Sequence, residues 1–205
     1  MKNVLLVLSL LTRIVLFGQT KEELEMITLV NQVRTNPKSF IPYIQNYIDK
    51  LETYNPINVI DTMAFKSCKI KITHSNNVGN LNIKLINEAK ELITILKKQK
   101  SLNALTFNIK AFQLSKKHVQ YLNEIKELTH NGPNNQTFSK RFRYIGTDCG
   151  ENCAENKLPI DALIDLLIDF GVNSKGHRSN LLYPKFTEIS VANDGIYWVQ
   201  DFIKP

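Results

Sequence analysis

Near its C-terminal end the chain changes period. Thr187 to Ala192 alternates apolar and polar residues, Asn193-Asp-Gly195 follows as a tight-turn signal, and Ile196 to Phe202 alternates again. Two alternating runs around such a turn form a β-hairpin, because strand side chains repeat every second residue and a short turn sets the register. An isolated hairpin is marginal in water, so this one needs other elements to bury its apolar face.

Those elements stand upstream, where the spacing is helical. Leu24, Ile27, Val30 and Val33 share one face of a helix starting near Lys21, with acids in its first turn, and the pattern ends before Pro37. Pro37 to Leu51 reads as a second helix carrying Phe40, Tyr43, Ile44, Tyr47, Ile48 and Leu51, its proline placed where the missing N–H costs nothing. Leu85 to Lys98 and Asn108 to Leu128 are helical by the same spacing. Residues 53–82 are the least regular part: Asn55-Pro56 breaks the chain, 67–73 alternates like a short edge strand, and Ser75 to Gly79 reads as a loop. Several helices with one short antiparallel sheet predict an α+β domain in which helices cover the sheet.

At 205 residues the chain is long enough for one good core. Its first nineteen residues stand apart: Lys2, the apolar run Val4 to Leu11, then Ile14 to Phe17 and Gly18-Gln19. That order reads as a secretory signal peptide in preference to an apolar first helix packed on the domain, and Arg13 keeps the uninterrupted apolar length below the roughly 20 residues of a membrane span. The expectation is an extracellular protein with no transmembrane anchor once the signal is removed. The formal charge is +7, and losing Lys2 and Arg13 with the leader leaves +5. The lysines are scattered among acids without interleaved aromatics, which argues for a solvated surface and against a nucleic-acid partner. Cys68, Cys149 and Cys153 permit at most one intrachain disulfide and leave its pairing open.

Of four histidines, His130 and His177 lie in segments that read as polar loops, where function concentrates. Between them stands Gly150-Glu151-Asn152, giving a His, Glu, His set spaced 21 and 26 residues apart. Such spacing is no metal motif by itself, and loop capping accounts for it equally well. His118 lies inside a helix and reads as a buried structural histidine; His74 falls in the irregular connector. Asn135-Gln-Thr137 is an acceptor pattern for glycosylation in a eukaryotic host. Ser174 and Ser179 flank His177 without the elbow a nucleophilic serine requires.

These segments, in this order, resemble the CAP superfamily (cysteine-rich secretory proteins, antigen 5 and pathogenesis-related proteins), whose module is also called the SCP domain. Leu105-Thr-Phe-Asn108 with Ala111 to Asn123 is similar to the family's second major helix and its approach. His130 with the following Gly-Pro, and Phe138 to Gly146, resemble the first histidine and the turn and helix after it. Cys149-Gly-Glu-Asn-Cys-Ala154 resembles the Gly-Glu-Asn-x-Ala motif, and Gly176-His-Arg-Ser-Asn-Leu-Leu182 with Phe186 to Val191 the second-histidine motif and following strand. Tyr197 to Phe202 resembles the closing strand.

The resemblance covers residues 102–203, with a looser match over 24–46, and 50–100 departs from the shorter members. It implies a three-layer α-β-α sandwich, divided into a signal peptide (1–19), N-terminal helices with an inserted connector (20–101) and a core (102–205). It further implies a cleft where His130 and His177 hold a divalent metal, commonly Zn²⁺, beside Glu151 and a second acid. Asp169 is preferred for that acid over Glu188, because a helix end just before the His177 loop aims its last turn at that loop. Asp161, Asp165 and Asp169 fall four apart, which reads equally as a solvated acidic stripe. The implied function is a secreted binding module for a small-molecule, lipid, peptide or glycan ligand. The alternative is a metal-dependent or histidine-assisted hydrolase with Glu151 as general base; the sequence leaves catalysis open and favours binding.

Overall fold

The computed structural model describes residues 18–53 and 75–205. Helix α1 (Lys21–Thr35) opens with a capping box: the Thr20 hydroxyl accepts from the Glu23 amide while the Glu23 carboxylate accepts from the Thr20 amide. A 3₁₀ turn (Pro37–Phe40) leads into α2 (Ile41–Thr53). Then follow α3 (Ser75–Lys98), β1 (Thr106–Phe107), α4 (Ile109–Ile125), α5 (Phe138–Arg141), β2 (Asp148–Glu155), α6 (Pro159–Ile168), α7 (Gly176–Leu181), β3 (Glu188–Asp194) and β4 (Tyr197–Lys204).

The sheet runs β1-β3-β4-β2. The hairpin pairs β3 with β4, and Asp194 faces Tyr197 across a two-residue turn. Gly195 there has φ +62° and Ile196 has negative φ, the pattern of a type II′ turn, so Asn193 and Asp194 belong to the strand and glycine alone supplies the unusual conformation. The sheet is mixed: β2 and β3 pair antiparallel with β4, whereas the two-residue β1 pairs parallel with β3.

Strand alternation divides the core in two. On one face Phe112, Val119 and Leu122 of α4 pack on Cys153, Ala192, Tyr197 and Val199. On the other, Met26 and Val30 of α1 and Leu163 and Leu167 of α6 pack on Ala154, Val191, Trp198 and Phe202, with α2 and α3 extending the same cluster. This is the three-layer α-β-α sandwich expected from the sequence.

Three elements differ from expectation, one being the segment around His177, which read as a polar loop and is in part the short helix α7. Helix α3 begins at Ser75, so the segment read as a loop is helical, and its Asn and Gly residues weaken the helical spacing without breaking it. The polar segment around Glu151 is a strand. The alternating segment 67–73, Cys68 and His74 lie outside the described residues.

Fastening the layers is Arg34, at the end of α1 and fully buried. Among the described residues it has no carboxylate partner; its guanidinium instead donates to the carbonyls of Asn103 (3.2 Å), Leu181 (2.9 Å), Tyr183 (3.0 Å) and Phe186 (3.1 Å). Burial lowers its pKa to about 10, which still leaves it charged at neutral pH.

Candidate functional site

Helix α4 ends in a left-handed residue, Lys126, and the chain turns back so that His130 reaches the edge strand β2 from the α4 side. Glu151 lies on that strand, facing α4 and almost fully buried. Its Oε1 accepts from His130 Nδ1–H at 2.9 Å, and its Oε2 accepts from Arg141 Nη2 at 2.5 Å. A carboxylate only accepts, so the His130 proton sits on Nδ1 and the Nε2 lone pair is free. Arg141 also donates to the His130 carbonyl at 2.7 Å, tying α5 to the histidine loop. Burial pushes the Glu151 carboxyl up, but the His130 hydrogen bond, the neighbouring His118 ring and the Arg141 guanidinium outweigh it, and the net shift is downward.

His177 arrives from the opposite layer, in the first turn of α7. Asp169 ends α6 in the left-handed conformation (φ +54°), which throws its side chain towards α7. Its Oδ2 accepts from the amides of His177 (2.9 Å) and Arg178 (3.2 Å), two donors that a helix start leaves unpaired. Its Oδ1 accepts from His177 Nδ1–H at 2.7 Å. His177 therefore repeats the arrangement of His130: Nδ1 committed to a buried carboxylate, Nε2 free. The two rings face each other across β2 with centroids 6.5 Å apart. The cleft thus brings together His130, Glu151, His177 and Asp169. Glu188 stands elsewhere, accepting from Asn108 Nδ2 at the β1 side of the sheet.

Three amides hold α7 on β2. Asn152 Nδ2 donates to the His177 carbonyl (3.2 Å) and to Gln200 Oε1 (3.2 Å), while Asn180 Nδ2 donates to Asn152 Oδ1 (2.9 Å) and the Glu151 carbonyl (3.3 Å). The approach is so close that a Cβ on Gly150 would meet Asn180 Oδ1 at 2.6 Å. From outside, α3 grips the same loop: Glu88 pairs with Lys175 at 2.8 Å and Glu91 with Arg178 at 3.4 Å.

His118, Glu151 and Cys153 also bring potential ligand atoms within 4.8 Å of one another. Most of that set is committed, although the buried His118 Nδ1 has no hydrogen-bond partner among the described residues. His118 Nε2–H donates to the Thr129 carbonyl at 2.9 Å, Glu151 is held by Arg141 and His130, and burial keeps the Cys153 thiol protonated. Burial likewise lowers the His118 pKa, so the ring packs as a neutral layer behind His130. Arg141, His118 and Asp201 surround Glu151 without any sequence signal linking them to it. Cys149 and Cys153 are free. Four residues apart on one strand, they are separated by about 13 Å and cannot bridge. Asn135 and Thr137 are exposed on the turn after His130.

The three aspartates of α6 do not form a solvated stripe. Asp165 lines a cavity of about 30 Å³ together with Asp169, His177, Leu85, Leu166 and Phe170. Burial, opposed by a 3.1 Å bond from Asn156 and reinforced by Asp161, raises its carboxyl to about 7. A carboxyl whose folded pKa exceeds the unfolded value of about 3.9 binds more protons when folded, so stability falls as pH rises from about 4 to about 7. Asp165→Asn keeps an oxygen for Asn156. It should raise stability by on the order of 2 kcal/mol near pH 8 and leave it unchanged near pH 4, as read by urea unfolding at both pH values.

Among the described residues no helix is long and apolar enough to cross a membrane. Three solved structures are similar in part. An extracellular protein containing an SCP domain from Bacillus anthracis str. Ames is 23% identical with a TM-score of 0.45, covering 60% of this chain and 38% of its own. A cysteine-rich secretory protein from Staphylococcus aureus subsp. aureus Mu50 is 17% identical with a TM-score of 0.40, over 60% and 38%. An outer surface protein from Borrelia burgdorferi is 17% identical with a TM-score of 0.43, over 62% and 94%. The first two are thus matched over well under half of their own length. No curated protein matches the chain. The model of the cysteine-rich secretory protein family, CAP, matches residues 27–202, from the first helix through the closing strand, and the chain belongs to that family.

Proposed function

We propose that this is a secreted CAP-domain protein whose cleft binds a divalent metal, zinc first, through His130 and His177, and presents it to a lipid, peptide or glycan ligand lying across the cleft mouth. The observation that carries the reading is the duplicated pair: each imidazole is oriented through Nδ1 by a buried carboxylate, leaving both Nε2 lone pairs available. Carboxylate–imidazole pairs of this kind orient zinc-bound histidines and raise their basicity. The residues fit the ion. With Zn–N of about 2.0–2.1 Å, two imidazoles sharing one tetrahedral zinc have centroids about 5–5.5 Å apart. The observed 6.5 Å is wider by about 1 Å, and His130, with its side chain 54% exposed, has room to close the difference.

Bound zinc supplies a Lewis-acidic anchor with open positions for water or a ligand group. Binding is favoured over hydrolysis because Glu151 is almost fully buried and each of its oxygens already accepts a strong donor, from His130 and Arg141, which suits orienting the imidazole better than taking a proton from water. The cavity beside His177 is small, about 30 Å³, which favours a larger ligand lying at the cleft surface. The charged-then-apolar leader and the family support secretion.

Calorimetric titration with Zn²⁺ tests the reading. Free imidazole titrates near about 6.5 and must be deprotonated to ligate, so affinity should be higher at about pH 7.5 than at about pH 5.5. No zinc binding at either pH would overturn it.

A further inference from the structure

Glu151, Asp201 and Ser190 stand side by side across β2, β4 and β3, on the face covered by α4. Ser115 of α4 hangs over the middle of this row, its Oγ 2.5 Å from both Asp201 Oδ2 and Ser190 Oγ and 3.0 Å from the Ala111 carbonyl. Asp201 is fully buried, and nothing described so far uses it. Its second oxygen, Oδ1, has no hydrogen-bond donor among the described residues. Its side-chain neighbour is another carboxyl, that of Glu151. Two carboxylate oxygens are both acceptors, and they hold together only with a proton between them.

The surroundings decide which carboxyl keeps that proton. Glu151 receives two charged or strongly polar donors, the Arg141 guanidinium and His130 Nδ1–H. Asp201 receives one hydroxyl, from Ser115. The titratable and charged groups nearby are Glu151 and the Cys149 and Cys153 thiols on β2, Arg141 beyond Glu151, and the neutral His118 one turn along α4. One guanidinium cannot balance two carboxylates in so dry a place.

We propose that Asp201 is a positioning residue of the cleft: a neutral carboxylic acid at neutral pH whose O–H donates to Glu151 and holds that carboxylate towards His130. Burial, then the Glu151 charge, keeps the Asp201 carboxyl well above the usual carboxylate range, in accord with this geometry. The row Ser190–Ser115–Asp201–Glu151–His130 is then a continuous hydrogen-bonded chain from the sheet centre to the cleft. The inference deepens the metal-binding reading, but the protonation of Asp201 does not depend on it.

Carboxyl carbon NMR on the full-length, metal-free chain, with Asp201 assigned through Asp201→Asn, tests the first half. Its side-chain carboxyl should hold the shift of a protonated acid from about pH 5 to about pH 8. The shift of an ionised carboxylate near pH 7 would overturn the proposal whatever the zinc result. Zinc titration tests the second half. Asp201→Ala should weaken binding about 10-fold or more, and Asp201→Asn, whose amide donates to Glu151 while its oxygen accepts from Ser115, should restore it to within about threefold. Equal losses in both variants, or failure of the asparagine variant to fold, would overturn the positioning role. Absence of zinc binding in the unaltered chain would instead count against the metal reading and leave the NMR result to stand.

Discussion

Alanine at His130 or at His177 is expected to lower zinc affinity by more than about 100-fold, beyond the roughly 10- to 100-fold loss typical of residues that only orient a ligand. Each histidine is one of two nitrogen ligands at the cleft, and Glu151 and Asp169 are spent on Nδ1 protons, so neither acid can turn to replace a lost imidazole without abandoning its partner. The double variant should therefore add little to either single one. Asp169→Asn is the informative companion. Asparagine tolerates the left-handed backbone at position 169 but presents an amide where a carboxylate oxygen accepted from Nδ1–H. His177 would then take the other tautomer, with its proton on Nε2, the atom needed by the metal. Calorimetry on the unaltered chain and the four variants at about pH 7.5 reads these effects. Undiminished affinity in the double histidine variant would place any zinc elsewhere.

The largest effect on folding is expected at Arg34. Removing its side chain as Arg34→Ala strips donors from four carbonyls in the interior and leaves a void, for an expected loss of about 3–5 kcal/mol in urea unfolding. Arg34→Met restores much of the volume but none of the hydrogen bonds, so it separates the two contributions. Two of the four carbonyls, those of Leu181 and Tyr183, lie at the end of α7, so the same variant should also loosen the helix that carries His177. A loss below about 1 kcal/mol would mean that water or neighbouring donors serve those carbonyls unaided.

Where one face of an element is apolar and the other polar, the sequence displayed it: both hairpin strands and the helices over 21–35, 41–53 and 109–125 follow their periodicity. Strand β2 escaped because both of its faces are used. Cys149, Glu151 and Cys153 face α4, and Gly150, Asn152 and Ala154 meet the other layer, so no alternation of polarity survives. The choice of Asp169 over Glu188 rested on the end of α6 pointing at the His177 loop, and that is where the side chain lies. Arg141 and Asp201 could not be read as neighbours of Glu151. One comes from a one-turn helix ten residues away, and the other depends on the register of β2 against β4, which only the folded sheet sets.

Strand β2 also ends the sheet. Among the described residues its eight residues pair with β4 on one side only, and an edge of that length is a template for strand addition by another chain. The features that build the cleft are what cover it: α7 lies against the strand, and Asn180 takes up the Glu151 carbonyl. Recognition and resistance to aggregation therefore draw on the same few residues. A substitution that frees α7 uncovers a sticky margin as well as disarming His177, so selection for solubility alone would preserve much of the cleft even in a relative that no longer binds anything there.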